Sequence, residues 1–180
     1  MNDPFIVGKK LYLRGIEKID LMNIVNWIND SKVTYYLVIG EKPAHLELIT
    51  EQWERGIKSS DEITFTIVEK RKNKMIGWCG FYSINWISRA AEYRIFIGDK
   101  NYWNKGFGTE VTKLLLKYGF EKLNLNKVFL GVNAANRGAL RSYEKAGFVK
   151  EGVLREEVYR NNQYYDAIRM SVLRKEYIDK

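Results

Sequence analysis

The stretch Tyr102-Trp-Asn-Lys-Gly-Phe-Gly-Thr-Glu110 is where residue types and spacing first suggest chemistry. It joins a predicted strand to a predicted helix. In that setting Gly106 and Gly108 let the backbone approach a ligand with no Cβ in the way, and the amides that open the helix form an anion site. Lys105 adds a positive side chain. A tight turn that uses glycine for positive φ explains the pair equally well, so the two glycines alone leave both readings open. Two other phosphate loops do not fit. A Walker A loop places Lys-Ser/Thr after its last glycine, whereas Lys105 precedes Gly106; a Rossmann loop needs glycine where Val111 stands. Cys79 and His45 are the only cysteine and histidine. That excludes a disulfide framework, a Cys/His zinc site and a triad in which His45 would do everything. No basic partner is implied for Cys79, so it reads as a buried structural thiol.

These groups need a scaffold. The chain has 180 residues, 46% of them hydrophobic, enough to bury roughly 70% of the unfolded surface. One domain over residues 1–180 is expected. Residues 10–15 alternate as a strand, and Asp20 is placed to cap an amphipathic helix over residues 21–28. A second helix, residues 45–57, carries Leu46, Ile49, Trp53 and Ile57 inward and a solvated stripe of Glu47, Glu51 and Glu54 outward. Period-two patterning then gives strands at 63–68, 75–82 and 90–97, a three-strand meander. The loop 98–108 follows, then a helix over 109–123 with Val111, Leu114, Leu115, Tyr118 and Leu123 inward. A strand at 126–132, a helix at 137–146 and a hairpin of 148–159 with 163–173 around Asn161-Asn162 complete the order.

The net charge of +8 is uneven. Residues 1–90 hold 13 Lys/Arg against 11 Asp/Glu, and residues 91–180 hold 17 against 11, so an anionic ligand belongs in the second half. There is no basic block of the length nucleic-acid binders use and no helix-turn-helix or RNA-binding signature, so nucleic acid is not an expected partner. No apolar run reaches the ~20 residues of a membrane helix, and no targeting signal opens the chain. A cytoplasmic location without membrane association is the expectation.

The chain resembles the GNAT superfamily of acyl-CoA-dependent N-acyltransferases. Trp103-Asn-Lys-Gly106-Phe-Gly108 matches the superfamily pyrophosphate loop Q/R-x-x-G-x-G/A except at Trp103. Asn136-Arg-Gly-Ala139-Leu-Arg-Ser-Tyr143-Glu-Lys-Ala-Gly147-Phe148 fills every named position of N-x-x-A/S-x-x-x-Y-x-x-x-G-F. The opening Leu11-Tyr-Leu-Arg14 and the closing Gly152-x-Leu154-Arg155-Glu156, Tyr164-x-Asp166 and Met170-x-x-Leu173 resemble the branch of ribosomal-protein, polyamine and nucleotide-amino-sugar acetyltransferases.

The resemblance implies an α/β (α+β) fold: a mixed, mostly antiparallel sheet of six to seven strands flanked by about four helices. It implies acetyl-CoA as co-substrate, no metal, and direct transfer of acetyl to a primary amine of a small molecule, such as a nucleotide-linked amino sugar or a polyamine. N-terminal acetylation of a ribosomal protein and a catalytically silent CoA-binding module are the alternatives. The implied cofactor contacts are Phe96, Ile97, Trp103, Asn104, Lys105, Gly106, Phe107, Gly108, Thr109, Asn136 and Lys145. Tyr143 is placed near the CoA sulfur, where a phenol can protonate the departing thiolate. Glu92, at the start of the strand that feeds the loop, is the candidate base. An exposed carboxylate paired with Arg94 or Arg89 is its other reading. The aromatics Trp27, Tyr35, Tyr36, Trp53, Trp78, Phe81, Tyr82 and Trp86 fall in the half where the family builds its acceptor pocket. Oligomeric state is open, with a homodimer as the expectation.

Overall fold

A computed structural model describes residues 3–178. The chain forms strands β1 (Ile6–Val7) and β2 (Leu11–Arg14), helices α1 (Leu21–Ile28) and α2 (Leu46–Lys58), and strands β3 (Ile63–Glu69), β4 (Lys74–Asn85) and β5 (Ala90–Ile97). Helix α3 (Phe107–Glu121), strand β6 (Lys127–Asn133), helix α4 (Arg137–Ala146), strands β7 (Val149–Arg160) and β8 (Gln163–Leu173), and the short helix α5 (Arg174–Ile178) follow. The eight strands form one sheet in the order β1-β2-β3-β4-β5-β6-β8-β7. The expected architecture holds, with β1 as the additional strand; two residues are too few for an alternation to register. Asn161 and Asn162 turn β7 into β8 with φ of 51° and 63°, the positive pair that a two-residue hairpin turn requires.

One junction breaks the regularity. β5 and β6 are parallel and pair only through Ala90↔Lys127, Ala91↔Val128 and Glu92↔Phe129. β5 nevertheless stays paired to β4 as far as Ile97, and β6 to β8 as far as Asn133. Beyond Glu92 the sheet therefore parts into two arms, and the β5 edge over residues 93–97 is left without a strand partner.

Alternation assigns the faces. Ala91 and Tyr93 of β5 and Val128, Leu130 and Val132 of β6 join Val111, Leu115, Leu116 and Phe120 of α3 in the larger core. Glu92, Phe129, Gly131 and Asn133 point to the opposite face. On that face Leu21, Ile24 and Val25 of α1 and Ile49 of α2 form a smaller core with Ala44 and Met75. Helix α2 is less buried than its spacing implies. Ile49 is buried, but Leu46 and Ile57 are 37% and 62% exposed, because only the middle of the helix lies over the small core.

Asp20 does not cap α1 through its side chain. Its carboxylate is buried and pairs with both terminal nitrogens of Arg14 at 2.6 and 2.8 Å, while also accepting from the Glu17 amide and Thr66 Oγ1. Burial pushes the Asp20 carboxyl up, but the hydrogen bonds from Arg14, Glu17 and Thr66 outweigh it and leave the group below its ordinary value. Removing one partner of such a pair leaves the other charge buried and alone. Asp20→Ala is expected to lower the unfolding free energy by about 3–5 kcal/mol at pH 7 in urea titrations. The folded-state value is depressed, so this contribution is complete above about pH 4. The difference from wild type should shrink as the pH falls through the depressed value, and a difference that persists undiminished in acid would place the effect in packing.

Candidate active site

The loop between β5 and α3 is held by internal bonds that do not use the first amides of α3. Trp103 Nε1 donates to the Ile97 carbonyl at 2.7 Å, tying the loop to the end of β5. Lys10 Nζ donates to the Lys105 carbonyl at 2.9 Å and stands 5.5 Å from the Phe107 ring centroid. Asp99 accepts from the Asn101 amide and is ion-paired to Lys74 at 2.8 Å. Gly106, at φ 80°, is the residue before α3, and the conformation suits glycine because it lacks a Cβ. The first helical bond runs from the Glu110 amide to the Gly106 carbonyl. The amides of Phe107, Gly108 and Thr109 therefore have no acceptor within the helix, a geometry that can receive an anion. The helix starts two residues earlier than its hydrophobic period suggests, because Phe107 enters the core with 7% exposure. Its ring is unavailable and only its amide faces the loop.

Behind the cradle, Gly108 sets how closely α3 and α4 approach. A Cβ there would lie 3.3 Å from Ser142 Oγ, and Thr109 Oγ1 and Ser142 Oγ are 2.9 Å apart. A cleft of about 1640 Å³ runs from this point between the parted arms of the sheet to the face that carries α1 and α2. Pockets for one small ligand are typically about 300–1,000 Å³, so there is room for two. Its walls include the open β5 edge, whose backbone groups can pair with an extended, amide-bearing ligand. The residues present thus fit an acyl-CoA: free helix amides for the pyrophosphate and a strand edge for the pantetheine amides.

Most of the residues singled out in the sequence meet here. Glu92, Phe96, Ile97, Trp103, Asn104, Gly106, Phe107, Gly108, Thr109, Asn136, Tyr143 and Lys145 line the cleft. Lys105 does not. It lines a separate groove with Lys9, Lys10, Lys70, Arg71 and Lys72. The Phe96 ring is buried between Trp78, at 3.9 Å, and Trp27. Asn136 caps α4 by accepting from the Ala139 amide. Of the first-half aromatics, Tyr36, Trp53, Trp78 and Tyr82 reach the cleft, Phe81 is core, and Trp86 is half exposed. Glu47, Glu51 and Glu54 are exposed, a solvated face. Cys79 is fully buried, and burial pushes its thiol up, which fits a structural role.

Two groups stand out chemically. Tyr143 packs edge-on against Tyr93 at 6.3 Å and at a tilt against Phe148 at 5.8 Å. Burial raises its phenol above the ordinary value, so the proton is retained through neutral pH. Glu92 Oε2 accepts from Arg94 at 2.7 Å, and Arg94 in turn stacks 4.6 Å over Tyr82. A residue that sequence reading missed is Asn133. It is buried and lines the cleft, and its Nδ2 has no hydrogen-bond partner among the described residues. Only the parting of β5 from β6 makes that visible.

Adding acetyl-CoA at a hundredfold excess over Kd should stabilise the fold by about 2.7 kcal/mol, read as a rise in Tm. Gly108→Val, which puts a branched side chain against Ser142 and across the free amides, is expected to abolish the rise while the unliganded protein still melts cooperatively. An undiminished rise would make the glycine purely structural.

Among the described residues no cluster of His, Cys, Asp and Glu could hold a metal, and no helix is long and apolar enough to cross a membrane. The family described as "Acetyltransferase (GNAT) domain" matches residues 10–149. The chain is 34% identical to the spermidine N(1)-acetyltransferase of Vibrio cholerae over 97% of its own length and 99% of that protein's. The crystal structure of spermidine N-acetyltransferase from Vibrio cholerae in complex with CoA and spermine is similar at TM-score 0.86 and 34% identity, over 94% of this chain and 98% of that one. A dodecameric structure of the Vibrio cholerae enzyme is similar at TM-score 0.81 and 33% identity, over 94% and 97% of the two chains. With a fitting cradle and cleft and a family match over most of its length, the chain belongs to the GNAT acetyltransferases and is an acetyl-CoA-dependent N-acetyltransferase.

Proposed function

We propose that Tyr143 and Glu92 carry acetyl transfer to a primary amine of a small molecule, Tyr143 as proton donor to the departing thiolate and Glu92 as acceptor of the ammonium proton, directly or through water. The observation that carries this reading is that Tyr143 lines the cleft with its ring packed edge-on against Tyr93, the residue at which β5 leaves β6. Acetyl-CoA supplies the activated acetyl group as a thioester. The amides of residues 106–109 and Lys145 hold its phosphates, and the β5 edge at Phe96 and Ile97, with Asn136 beyond it, orients its arm. Direct transfer needs both substrates in one cavity, which the size of the cleft supports.

On the acceptor side, Glu62, Glu92 and Glu157 line the cleft, and carboxylates attract an amine that arrives as its ammonium. The relatives' acceptor supports a polyamine, and the aromatic wall of Tyr36, Trp53, Trp78 and Tyr82 supports an amine on a ring, as in an amino sugar. A dodecameric relative supports self-association. A homodimer is the proposed unit, and sedimentation should give a mass above the 21.2 kDa of one chain; a sharp monomer would remove it.

Tyr143→Phe keeps the ring contacts with Tyr93 and Phe148 and should bind acetyl-CoA normally while lowering kcat by about 10²-fold or more. Unchanged turnover would reduce the residue to packing. Glu92→Gln should lower kcat/KM most at low pH, where little free amine exists, and the defect should fade as pH nears the amine's own pKa of about 10. A loss of equal size at every pH would make Glu92 an electrostatic contact.

A further inference from the structure

On the face of the cleft that carries Glu92, two hydrogen-bond donors have no acceptor among the described residues. Asn133 is 5% exposed. Its Oδ1 accepts from the Ala135 amide at 2.9 Å, which fixes the carboxamide's orientation and leaves Nδ2 as the unpartnered end. A buried donor in that state is unfavourable until something accepts from it. Arg169 lines the same cleft. Asn133 pairs with Ala167 and Gly131 with Arg169 across the β6–β8 ladder, so Asn133, Gly131 and Arg169 share one face with Glu92. The Arg169 guanidinium stacks 5.3 Å over Phe129. It contributes to holding the Glu151 carboxyl down, yet it makes no hydrogen bond or close ion pair among the described residues. Gly131, one step along the strand from Asn133 on this face and paired with Arg169, leaves open space, since a Cβ there would meet nothing within 4 Å.

We propose that Asn133 and Arg169 form an oxyanion subsite, with Gly131 as its floor, that receives a phosphate or carboxylate carried by the same molecule whose amine meets Glu92. The inference rests on the acetyl-transfer reading above and narrows its acceptor to an amine that also bears an oxyanion. A linear polyamine offers this subsite only more cations. The neighbouring Arg94 and Arg169 favour the anion, while Glu92 takes the ammonium end. Phosphate and carboxylate share the chemistry and differ in charge and reach, so both are tested.

The test compares acceptors of similar length on the CoA-bound protein by calorimetry, and on acetyl-CoA by thiol release: 3-aminopropyl phosphate, 4-aminobutanoate and 1,4-diaminobutane. At least one oxyanionic amine is expected to bind ten-fold or more tightly than the diamine and to have the higher kcat/KM. Asn133→Asp keeps the oxygen that holds Ala135 and replaces the free donor with a negative charge. It should abolish that preference while the KM for acetyl-CoA stays within about twofold. Arg169→Gln should do the same independently of any folding defect at Asn133. A wild-type preference for the diamine would overturn the proposal. So would an Asn133→Asp protein that loses acetyl-CoA affinity but keeps its amine preference, because the free donor would then serve the cofactor. Tight oxyanionic binding with no acetylated product would uphold the subsite and overturn the transfer reading instead.

Discussion

Everything at the site depends on β5 and β6 separating after three paired residues. A parallel pair in mid-sheet would ordinarily close its ladder, because buried backbone groups left unpaired are costly. Here the strands are held by outer neighbours, β4 on one side and β8 on the other. The rings of Tyr93, Tyr143 and Phe148 pack together where the gap begins. The opening is therefore a fixed feature of the core. It exposes a strand edge to a ligand, sets Tyr143 at its mouth and gives Asn133 a cleft to face.

The loop into α3 complements that opening by being rigid without help from a ligand. Its tethers are the Trp103 indole, which reaches the end of β5, and the Lys10 ammonium and Asp99 carboxylate, which bond the loop's own backbone and side chains. None consumes the first amides of α3. A site ordered beforehand loses less entropy on binding. Trp103 stands where the superfamily has a polar residue, and its indole acts here as a brace for the end of β5. Lys105 lines the other groove and not the cleft, so what the loop offers an anion in the cleft is its backbone amides.

Local pattern made much of this readable. β5 and α4 follow their sequence signals to the residue, the first through clean alternation and the second because Asn136 and Gly147 mark its ends. α3 begins earlier than its period implies, since a buried Phe107 extends the helix into the glycine loop. Asp20 looks like a cap from its neighbours alone, but its true partner, Arg14, arrives from β2 across the fold. Leu46 and Ile57 have helical spacing and nothing above them to bury against. Asn133 carries no signal in one dimension, because an unpaired donor is defined by what two diverging strands leave empty.

Amide hydrogen exchange resolved to single residues tests the parted sheet most directly. With saturating acetyl-CoA, exchange should slow at residues 93–97 that are not bonded to β4 and at the amides of Phe107, Gly108 and Thr109, with β7 and β8 unchanged. Protection confined to the basic groove of Lys70, Arg71 and Lys72, or no change along the β5 edge, would contradict it.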